Sequence, residues 1–341
     1  KYMTEAAKIS PDHPVYLDRF LESAIEVDVD ALCDGKDVFV GGILEHIEMA
    51  GIHSGDSACC TPPFSLSLSL QGQLRDIARR LALRLGVVGL LNIQFAIKDQ
   101  VIYVIEANPR ASRTVPFVSK STGVPLAKIA ARIMAGEKLA DLHLPADDRE
   151  FDYFCVKEAV MPFGRFPGSD VVLGPEMKST GEVMGIAGNF PAAFTKTQLA
   201  IDYEPPRGGE VFISVNDGDK RNITAIARSI ARLGFSLVAT TGTARALRAS
   251  GIECEEVGKI HAGSHTILDR IASGEIVLMI NTPFGSSTNT DGYEMRAACV
   301  RHGVSYCTTL AGAQALIAGM EAVRETGLDV IALQDLPQWE G

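Results

Sequence analysis

The sequence lacks the marks of several large protein classes. It has one Trp and no Cys-x-x-Cys spacing, so nothing points to a zinc knuckle or a thiol–disulfide site. Its seven cysteines are scattered, with Cys59-Cys60 the one close pair. An odd, unpatterned set of this kind fits free thiols in a reducing cytoplasm. No apolar run approaches the roughly 18 residues of a membrane span, and no signal peptide opens the chain. Basic charge is not in excess: the net charge is −10, which argues against nucleic acid as a partner. An anion bound here must be caught by local cations, helix ends or a metal. The opening "KYMTEAAKISPDHP" has no initiator Met and reads as a helix tail before a Pro-containing turn. A piece of a longer polypeptide is the expectation.

What is present is the composition of a globular protein with more chain than one core serves. At 341 residues and 46% hydrophobic, two domains are expected. "AIEVDVDALCDGKDVFVGGILEHI" reads as two strands joined at Asp34-Gly35. Alternation puts Glu26, Asp28 and Asp30 on one face, and for Asp28 and Asp30 a solvated face is the simplest reading. Residues 69–86 form an amphipathic helix closed by Gly86. "GLLNIQFAIKD" and "VIYVIEANP" are strands with a turn at Asp99-Gln100, and a helix is expected from near Val115 through "PLAKIAARIMAGE". "EPPRGG" at 204–209 is the strongest linker. Beyond it, strand and helix alternate in the manner of a parallel α/β unit. The expected domains are 1–201, α+β, and 202–341, α/β.

The stretch "VIYVIEANPRASRT" (101–114) carries the first chemistry. A strand this apolar is usually buried on both faces, yet it delivers Glu106, Asn108, Arg110 and Arg113. Alternation sets Glu106 and Asn108 on one side, where Gln94 of the preceding strand can join them. A carboxylate and two amide oxygens are hard ligands suited to Mg²⁺ or Mn²⁺. The arginines stand where an anion would arrive, and arginine grips phosphate or carboxylate bidentately. A surface ion-pair cluster is the alternative on pattern alone.

"AIEVDVDALCDG", "GGILEHIEMAGIHSGDSA", "NIQFAI" and "VIEANPRASRTVPFVSKSTG" resemble the large subunit of the carbamoyl phosphate synthetase family. The likeness is to the second half of its second ATP-grasp unit, and "KEAVMPFGRFPGSDVVLGPEMKSTGEVMGI" fits the end of that unit. The resemblance implies a partial ATP-grasp fold that phosphorylates carbamate with ATP. It implies that Gln94, Glu106 and Asn108 hold Mg²⁺ or Mn²⁺. It assigns Arg19, Leu21, Glu26, Gly51, Ile52, His53, Ser54, Gln94 and Glu106 to ATP, with Glu26 on the ribose hydroxyls. Arg110 and Arg113 would hold carbamate or its phosphorylated product. For His53, packing in the nucleotide site is preferred to general base catalysis, a loop histidine bonded to backbone being the bland alternative. The family's small glutaminase subunit would be a partner. Neither the glycine-rich loop of an earlier ATP-grasp lobe nor a Cys-His-Glu amidotransferase precedes these motifs, so an incomplete catalytic site is expected.

In the second unit, "SVNDGDK", "ATTGTA", "GKIHAG", "INTPFG" and "CTTLAG" fall at the carboxyl ends of successive strands, where open α/β sheets bind ligands. Any one Thr-rich turn could be a helix N-cap; five together suggest a pocket. Residues 202–341 resemble the methylglyoxal synthase-like regulatory domain of the same family. That resemblance implies Lys220, Thr240, Thr243, Lys259 and Asn281 as a nucleotide-effector site. Pro283 departs from relatives that carry threonine there. It also implies an ornithine-like effector held by Glu48, Asp56, Glu158 and Thr308, with a solvated helix position as the alternative for Glu48. The other functional readings are a stand-alone nucleotide-sensing module, a lyase acting on dihydroxyacetone phosphate, and a biotin-carboxylase-like enzyme. "INTPFG" lacks an acidic base for the lyase, and no biotin-carrier motif is present.

Overall fold

A computed structural model describes residues 8, 21, 23–165, 170–258, 266–283 and 290–339. Arg19, Lys259, and parts of the "MPFGRFPGSD", "GKIHAG" and "INTPFG" motifs lie outside the described residues.

The first unit is built on an antiparallel sheet of β1 (Ile25–Asp34), β2 (Val38–Met49), β3 (Cys59–Thr61), β4 (Val88–Lys98), β5 (Val101–Asn108), β6 (Phe154–Val160) and β7 (Gly181–Ala187), ordered β5-β4-β1-β2-β3-β6-β7. The β1–β2 turn forms because Asp34 Oδ1 accepts the N–H groups of Lys36 (2.9 Å) and Asp37 (2.7 Å), while Gly35 takes φ +86°. Asp99 and Gln100, at φ 49° and 63°, make the β4–β5 turn, the pair of left-handed residues a type I′ hairpin requires.

One face of this sheet is covered by α1 (Leu68–Arg84). Ser67 caps it, accepting from Leu70 N–H, and Leu70, Leu74, Ala78 and Ala82 pack on Val27, Val29, Ile93 and Phe95. Part of the opposite face is covered by α2 (Thr114–Thr122) and α3 (Leu126–Met134), which bury Phe117, Val118 and Ile129 against Leu32 and Leu44. The single helix expected from Val115 onward is two helices. Gly123, at φ +69°, ends the first, and Pro125 disfavours helical backbone at Val124.

The central strand β1 is buried along almost its whole length. Asp28 and Asp30, expected on a solvated face, are 1% and 0% exposed. Ser112 and Thr114, after β5, return onto Asp30, and His46 and Asn92 bond Asp28, long-range events that alternation does not encode. Strand β5 departs in the other direction. It is an edge strand, and Val101, Val104 and Ile105 are 49%, 46% and 56% exposed rather than buried.

The second unit is a parallel sheet of β8 (Glu210–Val215), β9 (Ser236–Thr240), β10 (Glu255–Val257), β11 (Ile276–Thr282) and β12 (Ser305–Cys307), ordered β10-β9-β8-β11-β12. The chain winds outward one way from β8 and then the other from β11, so the switch point lies between these two strands. The flanking helices are α5 (Ile223–Arg232), α6 (Thr241–Ala249), α7 (Ile267–Ala272), α8 (Thr290–His302) and α9 (Leu310–Thr326). Before the sheet comes α4 (Phe190–Ala200), and no helix or strand lies between Ala200 and Glu210.

A single hydrophobic cluster joins the units. Phe194 of α4 and Ile47 and Val156 of the first sheet pack with Leu316, Ile317 and Met320 of α9 and with Ile213 and Ile280 of the second. Arg296 of α8, 3% exposed, bridges them with bonds of 2.8 and 2.6 Å to Asp170. The segment after α9 then runs back to the first unit. Leu336 is buried among Phe117, Ile129 and their neighbours, Trp339 N–H donates to Gly123 O (2.9 Å), and Arg132 lies over the Trp339 ring. No helix among the described residues is long and apolar enough to cross a membrane.

Candidate functional site

The polar end of the first sheet is a row of facing side chains. Gln94 pairs in register with Glu106 on one side and Asp28 on the other, and Asn92 pairs with Asn108 and Asp30. Residues opposite one another across strands share a face, so the three expected metal ligands, Gln94, Glu106 and Asn108, stand together. Asn108 Nδ2 donates to Glu106 Oε1 (2.8 Å) and Gln94 Nε2 to Ser54 Oγ (3.1 Å).

Beside them opens a cavity of about 540 Å³ lined by Leu21, Glu26, Gly51, Ile52, His53, Ser54, Gln94 and Glu106. These are eight of the nine positions the resemblance assigns to ATP, Arg19 being undescribed. Glu26 is buried there, accepts from Gly51 N–H (3.4 Å), and is pushed above the usual carboxylate range by burial. His53 Nδ1 accepts from Gly55 N–H (3.0 Å), so the ring is both backbone-bonded and part of the cavity wall. The loop bearing it is held by His53 N–H to Gly174 O (2.8 Å) and by Lys157 Nζ to Ser54 O (3.2 Å).

Lys157, 2% exposed, was not anticipated from the sequence, and neither was the pair beneath it. His46 Nε2 lies 2.9 Å from Asp28 Oδ2, with both residues buried. Burial works against a charged imidazole, but Asp28 and then Glu26 outweigh it and raise His46 above its ordinary range. A lysine inside the apolar "CVKEAV" strand was the available signal, because lysine is almost never fully buried without a purpose.

Arg110 and Arg113 are exposed on the loop after β5, where Arg110 Nη1 donates to Ala111 O (3.0 Å). The loop is tied to the sheet through Asp30, which accepts from Asn92 Nδ2 (2.9 Å), Ser112 Oγ (2.8 Å) and Thr114 Oγ1 (2.5 Å).

A second cavity, about 400 Å³, lies between the units. Glu48, Asp56, Glu158 and Thr308 line it, together with Tyr203, Tyr306 and Cys307. Glu48 is at the end of β2, not on a helix, and accepts from Ala58 N–H (2.8 Å). Asp56 is fully buried and accepts from Lys178 N–H (2.8 Å) and Ser179 N–H (2.9 Å), so its carboxylate shapes the wall. Glu158 is pushed up to about 8 by burial and by the neighbouring Glu48, against the pull of Lys157.

At the carboxyl edge of the parallel sheet, Lys220, Thr240, Thr243 and Asn281 gather around the end of β8. Thr240 Oγ1 lies 3.4 Å from Ser214 Oγ and 3.3 Å from Thr243 Oγ1. Thr243 Oγ1 accepts from Val215 N–H (3.2 Å), and Asn281 Nδ2 donates to Ser214 O (3.2 Å). Thr240 occupies the N-cap position of α6 without a side-chain cap bond, so capping does not account for it. Lys220 pairs with Asp217 and lies against Gly242, where a Cβ would come within 2.9 Å of Nζ. Asn281 Oδ1 accepts from Arg296 Nη1 (2.7 Å), which ties this edge to Asp170 in the first unit. Pro283 is on the wall of a third cavity, about 950 Å³, with Thr282, Thr308 and Ile52.

Comparison with known proteins bears on these features. Residues 1–142 match the carbamoyl-phosphate synthase L chain ATP binding domain, and 222–308 match the MGS-like domain. The chain is 52% identical to the carbamoyl phosphate synthase large chain of Methanothermobacter thermautotrophicus, covering 100% of this chain and 32% of that one. Identity to the Pasteurella multocida large chain is 52%, over 99% and 32%. The biotin carboxylase domain of a single-chain bacterial carboxylase aligns at a TM-score of 0.46 with 19% identity, over 57% of this chain and 51% of that one, and at that level carries no weight. Sheets and matches together define a class: a carbamoyl-phosphate synthase L chain ATP binding domain joined to an MGS-like domain. The chain belongs to the carbamoyl phosphate synthase large-chain family and corresponds to the C-terminal third of its relatives. It spans about a third of the length of the curated relatives it matches.

Proposed function

We propose that this segment contributes ATP-dependent phosphorylation of carbamate to a carbamoyl phosphate synthase, and that it carries the enzyme's effector sites. The observation that supports this best is the convergence of eight dispersed residues on one cavity beside Glu106, Gln94 and Asn108. In the reaction a carbamate oxygen attacks the γ-phosphorus of ATP. A new P–O bond forms as the bond to the β,γ-bridging oxygen breaks, giving carbamoyl phosphate and ADP. The protein supplies position and charge rather than a covalent intermediate.

Glu26 accepts from the ribose hydroxyls, while Leu21, Ile52 and His53 enclose the nucleoside. Arg110 and Arg113 hold the acceptor and neutralise the charge it gains. One carboxylate with two amide side chains that can present oxygen is a hard donor set that fits Mg²⁺ or Mn²⁺, although no group of three His, Cys, Asp or Glu among the described residues could hold a metal. The ion would neutralise the phosphates of ATP when bound. The glutamine-hydrolysing small subunit is the proposed source of ammonia, and the cytoplasm the proposed compartment.

The cavity shared by Glu48 and Glu158 suits an ornithine-like amine. The Lys220–Thr240–Thr243–Asn281 edge suits a nucleotide phosphate. The test is synthesis of carbamoyl phosphate from bicarbonate, glutamine and ATP by a full-length large chain with its small subunit. Residues 1–341 alone are expected to give no appreciable product. Rapid synthesis by this segment alone would refute its being an incomplete site, and an inactive full-length enzyme would refute the assignment.

A further inference from the structure

The function proposed above leaves Asp30 without a task. It is fully buried in the central strand, where a carboxylate is costly and an apolar side chain would pack at less expense. Yet it draws donors from two places. Asn92 Nδ2 approaches from β4 at 2.9 Å, while Ser112 Oγ (2.8 Å) comes down from the loop after β5 and Thr114 Oγ1 (2.5 Å) from the first residue of α2. Those two hydroxyls lie 2.7 Å from each other. Among the described residues the loop's other bonds are local, with Arg110 N–H donating to Asn108 O (2.8 Å). Arg113, at the N-cap of α2, makes no side-chain cap bond, and the bond of Arg110 to Ala111 O reaches only the next residue. Asn92 is also the register partner of Asn108. One carboxylate thus links β4, the register partner of the strand carrying Glu106 and Asn108, to the loop carrying both arginines.

We propose that Asp30 is a positioning residue: it clamps residues 109–114 onto the sheet so that Arg110 and Arg113 meet the acceptor beside Glu106. This inference rests on the function proposed above. A residue serving only the fold would, when removed, loosen the sheet in general and affect both substrates alike. A clamp on the arginine loop affects only the ligand the arginines hold.

Two measurements separate these cases. The first is hydrogen exchange on residues 1–341. In Asp30→Ala the amides of 110–114 are expected to exchange about tenfold faster, the scale of one lost bond to a charged acceptor, with those of β4 nearly unchanged. The second is the reverse reaction, ATP formation from ADP and carbamoyl phosphate, in a full-length large chain. There Asp30→Ala is expected to raise the KM for carbamoyl phosphate about tenfold and that for ADP less than about twofold. Asp30→Asn, which keeps an acceptor oxygen, is expected to recover most of both effects. Should Asp30→Ala fail to fold, Ser112→Ala combined with Thr114→Val cuts the same bonds from the loop side. Equal shifts in both KM values, or faster exchange throughout the sheet, would overturn the clamp. A wild-type chain that makes no ATP sinks the function reading and the catalytic role together, while the exchange result still decides whether Asp30 holds the loop.

Discussion

Gln94 and Glu106 face each other directly across β4 and β5, and Gln94 reaches on to Ser54 at 3.1 Å. The carboxylate expected to meet the metal is therefore one residue removed from the loop that walls the nucleotide cavity. Replacing Glu106 by Gln keeps its volume and removes its charge. In a full-length enzyme, carbamoyl phosphate synthesis is expected to fall at least about a hundredfold, as for loss of a principal electrostatic stabiliser. The melting temperature should move little, because Glu106 is exposed. Synthesis within a few-fold of wild type would remove Glu106 from the metal.

Asp30 gives a pH signature in stability. Burial raises its pKa from 3.8 to about 6, although Thr114, Asn92 and Ser112 donate to it and partly offset that; Asp28 adds to the rise. The folded state therefore holds this proton more tightly than the unfolded state. Its contribution is most favourable below pH 4 and is lost as pH rises through about 6, a difference of about 3 kcal/mol. Urea unfolding of Asp30→Asn should lack this component. The variant's stability relative to wild type should rise by about that amount between pH 4 and 7. Parallel curves would mean the carboxylate is not strained by burial.

The turns at Asp34-Gly35 and Asp99-Gln100 were legible because polar turn residues interrupt apolar runs. The alternating second unit was legible because periodicity changes from strand to helix and back. The burial of Asp30 was not. Alternation is identical whether a polar face meets water or a loop that returns from 80 residues onward, and Ser112 is 82 positions away. Likewise Arg296 and Asp170, 126 positions apart, carry no local mark of their pairing. The grouping of Leu21, Ile52 and Gln94 around one cavity was anticipated through family resemblance, since no residue pattern links a loop to a strand forty positions on.

Glu158 should make effector binding depend on pH. With its pKa pushed up to about 8, it is largely protonated at pH 7, and an ammonium ligand must displace that proton. Ornithine affinity should therefore rise as pH increases from about 6 to 8 and level off above it. Calorimetry in buffers of differing ionisation enthalpy should detect proton release at pH 7. Glu158→Gln should abolish both the release and the slope. Affinity that is flat with pH would place the amine elsewhere.

Arg296 is held between Asp170 and Asn281. Burial disfavours the Asp170 charge, but the bonds and charge of Arg296 hold its carboxyl below the usual range. That stabilisation is present above the ordinary carboxylate pKa and is lost as pH falls through the depressed value. Asp170→Ala leaves a buried guanidinium unpaired and should cost about 3–5 kcal/mol. Asp170→Leu with Arg296→Met should recover much of it, as urea titrations of the double-mutant cycle would show. Additive losses would mean the pair contributes no coupling between the units.

The segment that returns to Gly123 alters what can be exchanged between relatives. Pro337 O lies where a Gly123 Cβ would be, 1.8 Å away, and Leu336 is buried in the first unit's core. A chimera spliced at the 204–209 linker would transplant residues 328–339 with the second unit. It would thus set a foreign tail against a native α2–α3 junction. The transplantable piece therefore ends before the tail, which must stay with the helices it covers, and it is the first unit that is discontinuous in sequence. Chimeras joined at the linker alone should therefore fail at Gly123, a place neither parent's effector chemistry would suggest.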